Sequence, residues 1–97
     1  MSQNDTNSDE FYSRFHDQLL ESQAWPGTYM FKFVIKSESL TLDKLKSYFD
    51  NKKAKFSEKL SSKKNFTSLT IKVKMVNAHE VISIYKKASQ LEGIMAL

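Results

Sequence analysis

Histidines and cysteines are the usual metal ligands, and this 97-residue chain offers few of them. The two histidines, His16 and His79, are far apart in the sequence, and no cysteine accompanies them. A zinc site needs three or four ligands that converge on the ion. The sequence therefore predicts no metal site, and each histidine is interpreted as an ordinary surface residue.

The other polar residues also lack the spacing of catalytic sites. Serine is plentiful, but there is no Gly-x-Ser-x-Gly motif and no base placed to activate a serine. The two glycines, Gly27 and Gly93, are too few to build a phosphate-binding loop. Carboxylates are expected on caps, turns and exposed helix faces, where the helix dipole and solvation explain them; they are Glu38, Asp43, Asp50, Glu58 and Glu80. We predict no catalytic residues, no cofactor and no enzymatic activity.

Lysines are the residues that favour a binding function. The chain carries a net charge of +4, which raises the expectation of an anionic partner. Four lysines in two alternating segments would share one face if those segments paired in a sheet, with Lys55 and Lys59 beyond them on the same side. These four candidate binding residues are Lys32, Lys36, Lys72 and Lys74.

Three interpretations of this basic face stay open. The plainest is a solvated sheet surface. A dimer interface is an alternative, because Met30, Val34 and Val76 leave an apolar strip among the lysines that could pair with a second copy of the chain. RNA-recognition domains bind nucleic acid on the same face, but they stack bases on exposed aromatic residues. Because Phe31 and Phe33 are predicted to point into the core, nucleic-acid binding is a weak alternative.

Strands predicted from period-two alternation position the lysines. Residues 29–36 and 66–76 alternate between apolar and polar residues, so each is expected to bury one face. A polar edge strand is predicted within residues 54–60, a turn at 61–65 and a terminal strand at 94–97. The residues predicted to face the core include Phe31, Phe33, Ile71 and Val73.

The N-terminal region is predicted to combine an acidic leader with a short helix. Residues 1–10 contain no apolar residue beyond Met1, so they are predicted to be a disordered leader. Phe11, Phe15 and Leu19 recur every four residues, which indicates one apolar helix face. Residues 11–97 are predicted to form a single domain.

Two further helices complete the predicted fold. Thr41 is the expected N-cap of one helix, and Asn77, with Glu80 three residues later, is the expected N-cap of the other. Gly93 is predicted to end the second helix. The order is a helix and then βαββαβ, which predicts an α+β, ferredoxin-like two-layer sandwich with an extra N-terminal helix.

Composition also bears on the compartment. The absence of cysteine favours a reducing environment, and the polar N-terminus does not resemble a signal peptide. No run of apolar residues is long enough to span a bilayer. We therefore predict a cytoplasmic protein without a membrane interaction.

Three short strings resemble the YbeD-like family of bacterial proteins. Residues 25–33 (WPGTYMFKF) resemble the family's entry into its first strand. Residues 61–66 (SSKKNF) resemble its Ser-Ser-Lys-Gly-Asn-Tyr hairpin, and residues 93–97 (GIMAL) its short apolar C-terminus. The resemblance covers residues 11–97. Lys64 stands where many members have glycine, a departure that bears on the turn type of the hairpin.

The resemblance implies a ferredoxin-like fold similar to the ACT regulatory sandwich, and it brings no catalytic residues. By analogy with a family described as lipoate-regulatory, it implies a regulatory or ligand-sensing role. Ser61, Ser62 and Lys63 in the hairpin are further candidate binding residues, although a turn also requires small polar residues. The leading hypothesis is a non-enzymatic regulatory or interaction module that binds a small molecule, a protein partner or a second copy of the chain.

Overall fold

Three helices and four strands lie within residues 3–37 and 40–96, which are the residues that the computed structural model describes. The helices are α1 (Gln3–Ser22), α2 (Leu40–Ser47) and α3 (Ala78–Ala88). The strands are β1 (Gly27–Lys36), β2 (Lys55–Leu60), β3 (Phe66–Met75) and β4 (Ile94–Ala96). The predicted order of elements is confirmed.

The strands form one antiparallel sheet in the order β2-β3-β1-β4. The two ten-residue strands β1 and β3 pair along their whole length, from Gly27 opposite Met75 to Lys36 opposite Phe66. The short strands β2 and β4 form the edges. This topology confirms the ferredoxin-like α+β sandwich and the central position of β1 and β3.

The core lies between the sheet and the helices α2 and α3. Alternation along β1 and β3 buries one set of side chains, and Phe31 and Ile71 are 0% exposed. Leu45 of α2 and Val81 of α3 cover this face. Full burial of each such side chain stabilises the fold by about 1.5–3 kcal/mol. The other face of the sheet carries no helix in the described part of the chain.

Helix α1 is longer than the sequence predicts. It begins at Gln3, so residues 3–10 are helical where a disordered leader was expected. The segment contains neither proline nor glycine, so nothing in its sequence stops the helix from continuing toward the N-terminus. Leu19 is buried in the core, and its carbonyl accepts a hydrogen bond from Trp25 Nε1 at 3.0 Å. The C-terminal end of α1 is thus fixed to the domain.

The predicted cap of α3 is confirmed. The Oδ1 atom of Asn77 accepts a hydrogen bond from the Glu80 N–H at 2.8 Å. The carboxylate of Glu80 reaches back to the N–H of Val76 at 3.2 Å. The end of the helix differs from the prediction, because α3 stops at Ala88 and a turn separates it from Gly93, whose φ is 68°.

Helix α2 also differs from the prediction at its start. It begins at Leu40, so Thr41 is inside the helix and does not cap it. The Thr41 hydroxyl instead donates a hydrogen bond to the carbonyl of Glu92 at 2.9 Å, which ties α2 to the turn before β4. Glu38, predicted on a turn, lies outside the described residues. Within the described ranges, no helix has the length and hydrophobicity needed to cross a membrane.

Candidate functional site

All six lysines of the four strands lie on the uncovered face of the sheet, which we call the open face. Residues directly opposite each other in neighbouring strands share a face. Met30 on β1 is opposite Lys72 on β3, which is opposite Lys55 on β2. The same register places the remaining strand lysines on this face. The full set is Lys32, Lys36, Lys55, Lys59, Lys72 and Lys74. The structure therefore places the four lysines that the sequence singled out on one face, with Lys36 and Lys74 near opposite ends of the paired strands.

The open face has no carboxylate among its strand residues. Glu58 is the only acidic residue in the four described strands, and its place in β2 turns it toward the helices. There its carboxylate forms an ion pair with Lys46 of α2. Lys32, Lys55, Lys59, Lys72 and Lys74 therefore have no carboxylate partner among the described strand residues of this face. The face attracts anions and repels cations.

Apolar side chains are interspersed among these lysines. Met30 is 44% exposed, and Met95 of β4, which is 63% exposed, lies opposite Val34. Methionine side chains are flexible and adapt to irregular protein surfaces. The open face therefore offers both positive charge and adaptable apolar contact.

Sequence reasoning missed one aromatic residue on this face. Phe66 is opposite Lys36, on the same side of β3 as Ser68, and it is 49% exposed. Extending the alternation of β3 backward by one step from Ser68 would have found it. Met95 was missed because the short terminal strand had no assigned register.

The serine-rich hairpin has a structural role and lies apart from Lys72 and Lys74. The carbonyl of Ser61 accepts from the Lys64 N–H at 2.9 Å, and its hydroxyl accepts from the Phe66 N–H at 3.2 Å. Ser62 and Lys63 are exposed at the tip of the turn. The hairpin is at the Phe66 end of β3, whereas Lys72 and Lys74 are near the other end. The hairpin therefore lies at the same end of the sheet as Lys36 and away from Lys72 and Lys74.

The two histidines meet across the helix pair. The rings of His16 on α1 and His79 on α3 are 6.5 Å apart. No group of three or more histidine, cysteine or acidic side chains in the described part of the chain is arranged to hold a metal ion. The pair therefore reflects the packing of α1 on α3.

Comparison with known proteins identifies one family. A family model described as "Protein of unknown function (DUF493)" matches residues 21–97. Two solution structures of the protein HP0495 from Helicobacter pylori share the fold, each at 22% identity. One has a TM-score of 0.64 and covers 78% of this chain and 86% of that chain; the other has a TM-score of 0.56 and covers 79% and 99%. No curated protein matches. The YbeD-like resemblance is confirmed over residues 21–97, a match that begins ten residues later than the predicted start at residue 11, and the chain belongs to the DUF493 (YbeD) family of proteins of unknown function.

Proposed function

We propose that this protein is a non-enzymatic interaction module whose open face binds an acidic surface of a partner protein. The observation that supports the proposal is the set of six lysines on one sheet face, whose described strand residues include no carboxylate on that side. A basic face attracts an acidic partner and accelerates the encounter. A reducing, cytoplasmic setting is part of the proposal, because the chain has no cysteine.

The apolar side chains of the open face favour a protein partner. Met30 and Met95 are exposed between the lysines, and flexible methionines suit a protein surface. Single-stranded nucleic acid, in contrast, stacks successive bases on several aromatic rings. The open face offers Phe66 at one corner, and Phe31 and Phe33 are buried on the opposite side. Nucleic-acid binding is therefore the second candidate, supported by the Phe66 ring beside Lys36.

Self-association through the open face is disfavoured by its charge. A two-fold dimer would place two copies of the same basic face against each other. Like charges brought together in an interface oppose association unless a counter-ion or a carboxylate separates them. The proposed partner is therefore a different protein.

The test is a titration of the full chain, labelled with nitrogen-15, against two probes. One probe is a synthetic peptide of alternating glutamate and leucine, and the other is an oligouridylate of equal length. We expect the peptide to shift amide signals of the open-face strands, with an affinity that falls as salt rises from about 50 to 200 mM. Tighter binding of the oligouridylate would overturn the proposal in favour of nucleic acid.

Matched charge reversals sharpen the test. The double variant Lys32→Glu/Lys72→Glu should weaken peptide binding at least about tenfold, because both lysines lie in the middle of the open face. The control, Lys44→Glu/Lys87→Glu, makes the same change in net charge at exposed residues of the helices α2 and α3. An equal loss in the control, or no peptide binding by the wild-type chain at low salt, would overturn the proposal.

A further inference from the structure

A groove of about 690 Å³ lies on the other side of the molecule, between α1, α3 and the helix-facing side of β1 and β4. Its volume is within the range of sites that bind small molecules. Phe33, Ala88 and Ile94 contribute apolar floor and wall, and Phe11, Tyr12 and Phe15 of α1 form the opposing wall. Helix α1 therefore creates the groove by packing against α3.

Aromatic rings dominate the lining of this groove. The ring centroids of Phe15 and Tyr85 are 5.3 Å apart, and those of Phe33 and Tyr85 are 5.7 Å apart. Phe11 is 61% exposed although its ring contacts Tyr12 and Phe15. Aromatic ligands gain specific edge-to-face contacts in such surroundings, in addition to the burial of apolar area.

A pair of tyrosine hydroxyls supplies a polar group to the groove. The hydroxyls of Tyr29 and Tyr85 are 3.2 Å apart, so one donates to the other. The pair has two hydroxyl hydrogens and uses one of them in this hydrogen bond. The other hydrogen is available to an acceptor atom of a ligand. Burial, together with the contact with Tyr29, raises the pKa of Tyr85 well above its ordinary value of 10, so the hydroxyl stays a donor at neutral pH.

Arg14 supplies a positive charge at the same groove. It is the one charged side chain among the described lining residues. Glu10 and Asp17 are one turn away on α1, but neither forms an ion pair with Arg14 in the described structure. An exposed guanidinium that pairs with no carboxylate among the described residues is suited to bind an anion through two parallel hydrogen bonds.

We propose that this groove binds an aromatic carboxylate, with the ring among the aromatic side chains and the carboxylate at Arg14. The residues of α1 that line the groove, from Phe11 to Gln18, precede the part of the chain that the family model matches, residues 21–97. The α1 wall of the groove thus lies outside the region that the family model matches. The groove is separate from the open face, so this proposal and the proposed function can fail independently.

The test measures binding of three indole probes to the full chain by calorimetry and by amide chemical shifts. Indole-3-acetate carries a carboxylate, 3-methylindole is neutral and tryptamine is a cation. We expect indole-3-acetate to shift signals of α1, α3 and β4 and to bind at least about tenfold more tightly than tryptamine. Equal affinity for the anion and the cation, or shifts confined to the open face, would overturn the proposal.

Variants of Arg14 separate recognition of the carboxylate from folding. Arg14→Gln should lower the affinity for indole-3-acetate about tenfold and leave that for 3-methylindole unchanged. Arg14→Lys should retain part of the affinity for indole-3-acetate, because lysine keeps the positive charge but lacks the planar guanidinium group that forms two parallel hydrogen bonds. Lys53→Gln removes one charge away from the groove and is the control. The same loss of affinity in Lys53→Gln and Arg14→Gln would contradict a carboxylate site at Arg14.

Discussion

Lys55 of β2 and Lys72 of β3 lie directly opposite each other on the open face of the sheet. Like charges in this cross-strand position destabilise a sheet by a few tenths to about 1 kcal/mol. The face carries no carboxylate among its strand residues to offset the repulsion. An acidic group bound between the two lysines would remove this repulsion, so the proposed binding of an acidic partner would stabilise the sheet at this pair.

The first prediction is that Lys72→Glu stabilises the protein while it weakens binding of acidic peptides. The substitution replaces a repulsive pair with an attractive one, so the free energy of unfolding should rise by about 0.5–1 kcal/mol at low salt. Thermal unfolding at low and high salt measures the gain, which should shrink as salt screens the pair. Lys74→Glu is the control, because Lys74 is opposite Thr28 and has no lysine directly across. An equal gain in Lys74→Glu would contradict the pairwise explanation.

The sheet could be predicted from the sequence because its signal is local and repeated. Period-two alternation placed Phe31 and Ile71 on the buried face, and both are fully buried. The cap formed by Asn77 and Glu80 is equally local, since both partners lie within one turn of helix. Features that depend on a few neighbouring residues can therefore be predicted from the sequence alone.

Features that depend on tertiary packing could not be predicted from the sequence. Propensity alone did not reveal where α1 begins, and the groove requires α1 to pack against α3. The Thr41 hydroxyl is bonded to Glu92, a residue far away in the sequence. The contact between Tyr29 and Tyr85 likewise joins a strand to a helix. No spacing rule within one segment predicts such pairs.

The second prediction concerns the tight entry to β1. A Cβ atom at Gly27 would lie 2.7 Å from the carbonyl oxygen of Ala24 and 2.7 Å from Nε2 of Gln23. The Gln23 side chain can move away, although it then loses its hydrogen bond to the Thr28 carbonyl. The Ala24 carbonyl oxygen can move only if the backbone around it moves as well. Gly27→Ala should lower the free energy of unfolding by about 1–3 kcal/mol in denaturant titrations. An unchanged midpoint would show that this contact is easily relieved.

The third prediction concerns the hairpin between β2 and β3. Lys64 has a φ of 59° and is the one residue other than glycine with a positive φ in the described part of the chain. A backbone with positive φ suits glycine and strains a residue that carries a Cβ atom, so the turn holds Lys64 in a strained conformation. Lys64→Gly should raise the free energy of unfolding by about 0.5–1 kcal/mol. Lys63→Gly, at a neighbour without a positive φ, should bring no gain, and a similar gain there would contradict the argument.

The fourth prediction is a pH dependence that comes from Glu80. Partial burial raises the pKa of its carboxyl group, but this effect is outweighed by hydrogen bonds from Lys52 and the Val76 N–H and by the charge of Lys52. The pKa of Glu80 in the folded protein is therefore below the ordinary value of 4.5. A carboxyl group with a lowered pKa stabilises the fold above its unfolded-state pKa, and this contribution is lost as the pH falls through the folded-state value.

Glu80→Gln should reveal this contribution, because glutamine keeps the shape and an acceptor oxygen but cannot carry the charge. At neutral pH the variant should be less stable than the wild type by about 0.5–1 kcal/mol, since Lys52 loses its ion pair. The difference should be constant above about pH 5 and should shrink as the pH is lowered through and below 4. Urea unfolding at a series of pH values measures it. A difference that persists unchanged at pH 3 would mean that glutamine disturbs the helix cap itself, and that the charge of Glu80 is not what stabilises the start of α3.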